Sequence, residues 1–307
     1  MLDIIIIGSG MAGMTAAIYA LRNNKKVLLF ERESIGGQIT QSPKVENYPS
    51  IPQISGSDLA DKTFEQLSAL GGETEVENVE SVKKQGDIFI VKTDYNTYET
   101  KSVIISTGLK HRKLNLENED RFIGHGLYYC AICDGPFFAG QEVDVIGDAN
   151  SALQYALMLA GYCKKVNIFT LFDKFFGEKA LVDEVKNTKN IEIFHNCKSV
   201  ALNGQEKLES ITFEREDGSR FTHNTNATFV AIGQIPNNNF EAPIDLDENG
   251  YIIADENCKT SCEGIFVAGD CRKKSVRQVA TAIGDGAIAA TSACKYLDLN
   301  AGKLWKF

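Results

Sequence analysis

Residues 2–31 read LDIIIIGSGMAGMTAAIYALRNNKKVLLFE and have the pattern of a βαβ unit. The run Leu2–Ile7, apolar except for Asp3, predicts a strand that is buried on both faces of a parallel sheet. A helix is predicted in the stretch that ends near Leu21, and Val27–Phe30 predicts a second strand. This order of elements is typical of a doubly wound α/β domain.

A glycine-rich turn joins the first strand to the helix. Gly8, Gly10 and Gly13 have GxGxxG spacing, and Glu31 ends the second strand eighteen residues after Gly13. In this context the glycines allow a tight turn, a close approach of the backbone to a pyrophosphate, and close packing of helix on strand. The helix N-terminus offers N–H groups to phosphates, and Glu31 can accept hydrogen bonds from a ribose. The sequence therefore predicts a dinucleotide site; the alternative is a glycine-rich turn without a ligand.

The same order of elements recurs in the middle of the chain. Glu142–Ile146 and Val166–Phe169 are predicted strands, and between them lie the turn GDANSA at 147–152 and a predicted helix, Leu153–Ala160. A chain of 307 residues is long enough for two domains. We expect an α/β protein with two nucleotide-binding-type domains, each Rossmann-like and three-layered.

Composition and charge argue against several classes of protein. Acidic side chains outnumber basic ones by 41 to 32, and the formal net charge is −9. Nucleic-acid binders and membrane-surface proteins need a basic face, so neither is expected. No apolar run reaches the roughly 18 residues of a membrane helix, and no secretory signal is visible. We expect a cytoplasmic protein in which most of the eight cysteines are reduced.

Cys130 and Cys133 are the only cysteines with CxxC spacing, which lets two sulfurs meet in a disulfide or as half of a metal site. A structural zinc site needs a second pair of ligands, and Cys258 with Cys262 does not form a recognisable one, so no metal is expected. A redox role is favoured, because a CxxC thiolate can be stabilised well below the usual thiol pKa. Asp134 is a candidate proton carrier, although Asp-Gly is also a common turn pair.

Beyond these motifs, the chain resembles the low-molecular-weight thioredoxin reductases along nearly its whole length. The matching segments are GSGMAG (8–13), GGQIT (36–40), VENYP (45–49), STG (106–108), CAICDG (130–135), AIGQIPN (231–237) and GIFVAGDCRKKSVRQVATAIGDGAIAA (264–290). The resemblance implies a flavoprotein that reduces the disulfide of thioredoxin. It also implies that Cys133 faces the flavin, that Cys130 attacks the substrate disulfide, and that Asp134 transfers protons.

The resemblance further implies which residues bind the cofactor, FAD. The phosphates would lie over Gly8–Gly13, Glu31 would bind a ribose, and Asp270 would hold the ribityl chain. The full expected set is Gly8, Ser9, Gly10, Met11, Ala12, Gly13, Glu31, Arg32, Gly36, Gly37, Gln38, Asn47, Thr107, Gly108, Gly269, Asp270, Arg277, Gln278 and Val279.

By the same resemblance, the two domains are nested. A discontinuous FAD-binding domain would comprise residues 1–113 and 242–307. An inserted CxxC domain, residues 114–241, would have a degenerate NADPH-binding-like fold. Family members are homodimers, so we expect a homodimer.

Both sequence motifs that bind NADPH in this family are altered in the inserted domain. The family has a motif similar to GGGNSA, whereas this chain has Asp148 and Ala149 at the second and third positions. Ala149 adds a methyl group where the backbone must approach the pyrophosphate, and Asp148 adds a negative charge beside it. A second family pattern is similar to HRRxxxR, and at its arginine positions this chain has Leu171, Phe172 and Phe176. Leucine and phenylalanine cannot donate hydrogen bonds to a 2′-phosphate.

The altered motifs favour another electron donor. By retaining the CxxC and FAD motifs without the NADPH motifs, the chain resembles the ferredoxin-dependent flavin thioredoxin reductases, and ferredoxin is the expected donor. Because ferredoxins are generally acidic, docking needs a local basic patch. The candidates are Lys110–Lys113 and Arg272–Lys274 with Arg277, although each is also consistent with a solvated charged loop.

Three alternatives are consistent with the same residues. NADPH could bind through drifted ligands, with Lys174 and Lys179 replacing the arginines. A dithiol oxidase would pass electrons from a small dithiol through Cys130, Cys133 and FAD to oxygen. A non-catalytic flavin or redox-sensing module fits least, because the FAD motifs and the CxxC motif, which together would pass electrons to a substrate, are both retained.

Overall fold

The computed structural model describes residues 1–42 and 45–303. The predicted FAD-binding domain also includes residues 43–44 and 304–307, which lie outside the described residues. None of the helices in the described part of the chain is long and apolar enough to cross a membrane.

The chain divides into two compact units. The first comprises residues 1–110 and 235–307, and the second comprises residues 111–234. Both crossing points lie a few residues before the boundaries expected from the sequence. The short strands Leu109–His111 and Gln234–Pro236 contain the crossing points, and they pair as a two-stranded sheet.

The helices and strands follow in chain order. Up to residue 111 they are β1 (Leu2–Ile7), α1 (Met11–Arg22), β2 (Val27–Glu31), a 3₁₀ helix (Gly37–Gln41), α2 (Gly56–Ala69), β3 (Glu73–Val76), β4 (Val79–Gln85), β5 (Ile88–Thr93), β6 (Thr97–Ile105) and β7 (Leu109–His111). Next come α3 (Glu119–Phe122), β8 (Leu127–Tyr128), α4 (Ala131–Asp134), a 3₁₀ helix (Gly135–Phe138), β9 (Glu142–Ile146), α5 (Asn150–Ala160), β10 (Lys165–Phe169), α6 (Lys179–Asn187), β11 (Ile191–Phe194), β12 (Lys198–Asn203), β13 (Ser210–Glu214), β14 (Arg220–Asn224) and β15 (Thr228–Val230). The last are β16 (Gln234–Pro236), β17 (Ile265–Val267) and α7 (Val279–Asn300).

The first unit is built on a seven-stranded sheet in the order β3-β2-β1-β6-β5-β4, with β17 paired to β6. Strand β1 runs parallel to β2 and β6, whereas β5 is antiparallel to both β4 and β6. Ile4 and Ile6 pack with residues of α1 and α7, while Ile5 and Ile7 pack into the core on the opposite face. Because both faces of β1 are covered, its sequence is almost continuously apolar.

The second unit has three layers around a parallel five-stranded sheet in the order β11-β10-β9-β15-β8. On one face Val143 and Val145 pack with Leu153 of α5. On the other face Phe169 stacks on Phe213 of the antiparallel sheet β12-β13-β14, with ring centroids 4.2 Å apart. The predicted fold class, α/β with two nucleotide-binding-type units, is confirmed.

A buried polar cluster joins the two sheets of the second unit. Asp144 is 1% exposed, and its Oδ1 lies 3.0 Å from His223 Nε2. The same oxygen accepts a hydrogen bond from Asn167 Nδ2 at 2.9 Å, and Asn167 also donates to Glu142 Oε1 at 3.0 Å. The hydrogen bond to Asp144 raises the pKa of His223, an effect that burial partly opposes.

We expect the His223–Asp144 pair to make folding stability depend on pH. A histidine whose pKa is raised on folding adds stability below its unfolded pKa of about 6.5, and this stability is lost as the pH rises through the folded pKa. His223→Gln should therefore cost about 1 kcal/mol more unfolding free energy at about pH 5.5 than at about pH 9. Urea unfolding at both pH values measures the difference. His125→Gln, at an exposed position of the same unit, is the control, and an equal loss for His223→Gln at both pH values would contradict the prediction.

Candidate active site

The two cysteines of the CxxC motif form a disulfide in the second unit. Cys130 caps the N-terminus of α4, and its Sγ accepts a hydrogen bond from the backbone N–H of Cys133 at 3.2 Å. The Cα atoms of the two cysteines are 5.3 Å apart. One helical turn brings the sulfurs together, because residues three apart lie on the same side of a helix. The redox pair is therefore formed by local structure.

Asp134 follows the disulfide directly and is buried. It is 6% exposed, and its Oδ1 has no hydrogen-bond partner among the described residues. Burial raises the pKa of Asp134 to about 7. Burial and, to a smaller extent, the charge of Asp134 raise the pKa values of Tyr128 and Tyr155, so both phenols lie near this carboxylate. A carboxyl group with a pKa near neutrality can both donate and accept a proton at physiological pH.

Tyr129, which the sequence analysis did not single out, holds the segment before the disulfide. Its hydroxyl donates to the carboxylate of Glu119, which is 3% exposed and also accepts the backbone N–H of Leu114 at 2.8 Å. The Tyr129 ring stacks on His111 with centroids 4.9 Å apart. These contacts fix the backbone next to Cys130. The sequence contained no signal for them, because the tyrosine and the glutamate resemble an ordinary core residue and an ordinary surface residue.

The other six cysteines are free thiols, and five of them are buried. Burial raises the pKa of Cys258 to about 12 and that of Cys294 to about 11, so neither is a thiolate at neutral pH. In the part of the chain that the structure describes, no group of three or more His, Cys, Asp or Glu side chains is placed to hold a metal ion.

The GxGxxG turn of the first unit forms the cradle that a dinucleotide needs. Gly8 has a φ of 103°, which strongly favours glycine, and a Cβ on Gly13 would lie 1.9 Å from the Gly8 carbonyl oxygen. Gly10 caps α1, and apart from Gly10, its immediate chain neighbours and the helix backbone no described atom lies within 4 Å of where its Cβ would be. The first turn of α1 has neither an acidic residue nor a side-chain cap. The N–H groups of Met11 and Ala12 at this helix N-terminus therefore fit a pyrophosphate.

Glu31 ends β2 beside this turn. Its Oε2 accepts the backbone N–H and the hydroxyl of Ser9, at 2.9 and 2.7 Å. Its Oε1 accepts the backbone N–H groups of Arg32 and Glu33, at 2.8 and 3.0 Å. The Arg32 guanidinium donates to the Glu33 carboxylate at 2.7 Å. These contacts hold the Glu31 carboxylate at the edge of the turn, where the family resemblance expects a ribose.

Gly36 and Gly37 place a second loop against the glycine turn. Both have a positive φ, and Gly36 forms an isolated β-bridge with Gly10. The backbone N–H of Gly36 donates to the Ser9 carbonyl at 3.1 Å, and a Cβ on Gly37 would lie 3.1 Å from the Gly10 Cα. This loop therefore lies directly against the backbone of the glycine turn.

Most of the remaining expected FAD ligands are tied to neighbouring loops of the first unit. The side-chain contacts are Gln38 Nε2 to the Leu109 carbonyl, Asn47 Nδ2 to Gln278 Oε1 (3.1 Å), and Thr107 Oγ1 to Asn238 Oδ1 (2.8 Å). Gly108 and Gly269 have positive φ, and a Cβ on Gly269 would lie 2.8 Å from the Cβ of Ala12. Val279 is the first residue of α7. Of the residues in this group, Gly269 is placed beside the glycine turn by its contact with Ala12.

Asp270 follows Gly269 and has an unused hydrogen-bond acceptor. Its Oδ1 is buried and makes no hydrogen bond with a described residue, although Lys274 Nζ lies 3.2 Å away as an ion-pair contact without hydrogen-bond geometry. Arg277 Nε donates to the Asp270 carbonyl at 3.3 Å, and its guanidinium lies 4.3 Å from the ring centroid of Tyr251. Burial raises the pKa of Asp270, and the positive charges of Lys274 and Arg277 oppose this rise. A buried, unsatisfied oxygen fits a hydroxyl donor such as a ribityl group.

The glycine turn of the second unit is covered by the segment that follows β10. Ala149 caps α5 without a side-chain hydrogen bond, and the Phe176 N–H donates to the Asp148 carbonyl at 2.7 Å. Asn150 and Glu178 form two hydrogen bonds with each other, at 2.7 and 3.1 Å. Partial burial raises the pKa of Asp148. A carboxylate at this helix N-terminus competes with a phosphate for the same N–H groups.

The positions expected to carry arginines form an apolar surface patch. Leu171, Phe172 and Phe176 are 52%, 48% and 55% exposed, and the two phenylalanine rings pack edge to face at 5.1 Å. Lys174 Nζ lies 5.5 Å from the Phe176 ring centroid. Lys179 Nζ lies 2.6 Å from a carboxylate one turn further along α6. The two lysines that could replace the arginines therefore already face a ring and an anion.

One proposed ferredoxin-docking patch does not form as expected. The side chains of Arg272 and Lys274 are 17% and 9% exposed, and both bind Asp285 at 3.0 Å. The prediction that these two cations are available to a partner is wrong, because α7 buries them against a carboxylate. Lys273, between them, is 56% exposed.

The other proposed patch is partly neutralised. Lys110 Nζ lies 3.9 Å from the Glu33 carboxylate, and Lys113 forms an ion pair with Asp120. Burial lowers the pKa of His111 to about 4, so its ring is uncharged at neutral pH. Neither patch is a strongly basic surface.

A dinucleotide cradle in one unit and a redox disulfide beside a buried acid in the other define a nucleotide-cofactor-dependent disulfide oxidoreductase. Residues 2–286 match the sequence profile of the pyridine nucleotide-disulphide oxidoreductases. The thioredoxin reductase of Peptoclostridium acidaminophilum is 38% identical over 307 residues, with 97% of this chain and 98% of that protein covered.

Two solved structures extend the comparison. A thioredoxin reductase from Streptococcus pyogenes is 36% identical with a TM-score of 0.93, covering 97% of this chain and 98% of that one. A ferredoxin-flavin thioredoxin reductase from Clostridium acetobutylicum is 31% identical with a TM-score of 0.55, covering 98% and 99%. The chain therefore belongs to the pyridine nucleotide-disulphide oxidoreductases and, within them, to the thioredoxin reductases. These enzymes are FAD-binding flavoproteins, and the cradle of the first unit fits FAD.

Proposed function

We propose that this flavin disulfide oxidoreductase reduces thioredoxin through Cys130 and Cys133 and takes its electrons from reduced ferredoxin rather than from NADPH. The observation on which the proposal depends is the apolar patch of Leu171, Phe172 and Phe176, which replaces the charged donors that a 2′-phosphate needs. The existence of a ferredoxin-flavin thioredoxin reductase among the similar structures supports it.

The proposal assigns FAD to the first unit and the dithiol chemistry to the second. Bound FAD supplies a group that can take up electrons singly and deliver them as a pair to a disulfide. The cradle from Gly8 to Gly13 would hold its phosphates, Glu31 a ribose, and Asp270 the ribityl chain. The homodimer and the cytoplasmic location expected from the sequence belong to the same proposal, and sedimentation of the holoenzyme tests the first.

Once Cys130 and Cys133 are reduced, the second unit can reduce thioredoxin in two steps of thiol–disulfide exchange. The Cys130 thiolate attacks the thioredoxin disulfide, which forms a mixed disulfide and releases one thioredoxin thiolate. The Cys133 thiolate then attacks Cys130 Sγ, which reforms the Cys130–Cys133 disulfide and releases the second thioredoxin thiolate. Asp134, whose pKa is about 7, can protonate the leaving thiolates.

An anaerobic mixing experiment tests the electron donor. The oxidised holoenzyme is mixed separately with NADPH, with NADH and with photoreduced ferredoxin, and the visible flavin absorption and the thioredoxin thiols are followed. We expect ferredoxin to bleach the flavin and produce thioredoxin thiols, with no comparable response to either pyridine nucleotide. Rapid bleaching by NADPH would establish the alternative of drifted NADPH ligands. Reoxidation by air coupled to loss of a small dithiol, without a response to ferredoxin, would identify a dithiol oxidase.

Replacing Asp134 by asparagine should lower the rate of thioredoxin reduction about 10²- to 10⁴-fold, because the general acid–base group is lost. In the native enzyme the rate of leaving-thiolate release should fall as the pH rises above about 7, since Asp134 then loses the proton that it donates. Asp134→Asn should abolish this inflection, and single-turnover rates from about pH 6 to about pH 9 measure it. An inflection near neutral pH that persists in Asp134→Asn would assign proton transfer to another group.

A further inference from the structure

A buried carboxylate of α7 gathers two cations beside the FAD cradle. Asp285 Oδ1 accepts from the Arg272 guanidinium at 3.0 Å, and Oδ2 accepts from Lys274 Nζ at 3.0 Å. The backbone N–H of Gly269 also donates to Oδ2, at 3.2 Å. The side chains of Asp285, Arg272 and Lys274 are 8%, 17% and 9% exposed. Groups this buried are held by one another rather than by solvent.

Lys274 lies between two carboxylates. Its Nζ is 3.0 Å from Asp285 Oδ2 and 3.2 Å from Asp270 Oδ1. Asp270 Oδ1 is buried, whereas the whole side chain is 32% exposed, so the exposed part of the side chain is not Oδ1. The ammonium group therefore lies close enough to hold Oδ1 in place by charge, while Oδ1 still has no hydrogen-bond partner among the described residues and can accept a hydroxyl donor.

The charges of this cluster are balanced. Arg272 and Lys274 supply two positive charges, and Asp270 and Asp285 supply two negative ones. Removing Lys274 takes the nearest cation away from the buried Asp270 Oδ1, and a buried carboxylate without a close partner is unfavourable. Lys273, the neighbouring lysine, is 56% exposed and lies 3.8 Å from Asp247, so it does not pair with Asp270 or Asp285 in the cluster.

We propose that Lys274, itself held in place by Asp285, is a positioning residue that orients the Asp270 carboxylate toward the ribityl chain of FAD. This inference rests on the proposed assignment of Asp270 to the FAD site. It does not depend on the electron donor, so a failure of the ferredoxin proposal leaves it unchanged.

The test compares FAD retention by two lysine variants. Holoenzyme is diluted in steps, and the fluorescence of released FAD gives the dissociation constant. Lys274→Met should raise this constant about 10- to 100-fold, the range for loss of a hydrogen bond that depends on a charged group. Lys273→Met, with the same change of side chain and charge, should leave it within about twofold of the native value, as surface pairs contribute little. A dissociation constant for Lys274→Met within that same twofold range would overturn the proposal.

A double-mutant cycle separates positioning from a general structural effect. If Lys274 acts through Asp270, then adding Lys274→Met to Asp270→Asn should change the dissociation constant by less than about threefold. Full additivity would overturn the proposal, because Lys274 would then act independently of Asp270. If Lys274→Met does not fold, Asp285→Asn, which keeps the side-chain volume, is judged in the same cycle and by the same criteria.

The pH dependence of FAD retention provides a second readout. Asp270 faces Lys274, Arg277 and Asp285, and the two cations favour its ionised form. Without Lys274, the Asp270 carboxylate should take up a proton closer to neutral pH. The FAD dissociation constant of Lys274→Met should therefore rise as the pH falls from about 8 to about 6, while that of the native enzyme stays nearly constant. Parallel pH profiles for the two proteins would contradict the proposal.

Discussion

Replacing Cys130 by serine is expected to lower the rate of thioredoxin reduction by about a thousandfold or more, while the flavin stays reducible. A serine hydroxyl at this position is neither a thiolate nucleophile nor able to form the Cys130–Cys133 disulfide. The FAD cradle lies in the other unit of the chain, so loss of this sulfur leaves the cofactor site intact. Release of thioredoxin thiols in a ferredoxin-driven assay measures the first effect, and bleaching of the flavin absorption measures the second.

Two further variants make this prediction specific. Cys262→Ser changes a partly exposed free thiol of the first unit and should leave the rate unchanged. Cys133→Ser keeps the attacking sulfur of Cys130 and should accumulate a mixed disulfide with thioredoxin, visible as an increase in mass. If Cys130→Ser accumulates that species instead, the roles of the two cysteines are exchanged. Undiminished reduction of thioredoxin by Cys130→Ser would exclude the proposed relay.

Restoring the missing NADPH ligands should give an enzyme whose flavin NADPH can reduce. The variant combines Asp148→Gly and Ala149→Gly with Leu171→Arg and Phe172→Arg. Each restored charged hydrogen bond to the 2′-phosphate is worth about 1.5–3 kcal/mol, so two arginines should raise the rate of flavin bleaching at low NADPH concentrations about 10²- to 10⁴-fold. Because Leu171 and Phe172 are 52% and 48% exposed, we expect these changes to cost little stability.

The specificity of this gain identifies its cause. NADH lacks the 2′-phosphate, so the arginines should increase the response to NADPH much more than the response to NADH. A variant with only the two glycine changes should gain little, since it still lacks the cationic donors. Equal gains with NADH and NADPH would show that the turn at Asp148 and Ala149, rather than the arginine positions, limits binding. Fast bleaching of the native enzyme by NADPH would overturn the argument from the apolar patch.

Much of the fold could be predicted because its patterns are local. The four consecutive isoleucines of β1 make both faces of this strand apolar. Such a pattern is typical of a strand that is covered on both sides of the sheet. The glycine turn was equally predictable, since a Cβ on Gly13 would lie 1.9 Å from the Gly8 carbonyl oxygen. The Cys130–Cys133 pair was predictable for the same reason, because one helical turn brings residues at this spacing together.

Contacts between distant residues were not predictable. Arg272 and Lys274 were interpreted as part of a candidate docking patch, because an acidic ferredoxin needs a local basic surface, and the alternative was a solvated charged loop. The fold places them against Asp285 of α7, and no local spacing specifies that contact. Tyr129 and Glu119 form another such pair, and neither residue type indicates the other.

Chain spacing alone therefore specified the GxGxxG turn, the proximity of the two CxxC sulfurs and the α/β class, because covalent geometry limits where residues a few positions apart can lie. The tertiary structure decided the electrostatics of both sites. The pKa of Asp134 is raised to about 7 by burial, and burial depends on which distant segments of the chain enclose the carboxyl group. The placement of Lys274 between Asp270 and Asp285 likewise depends on how α7 packs, since a buried charge takes its partners from whatever elements surround it.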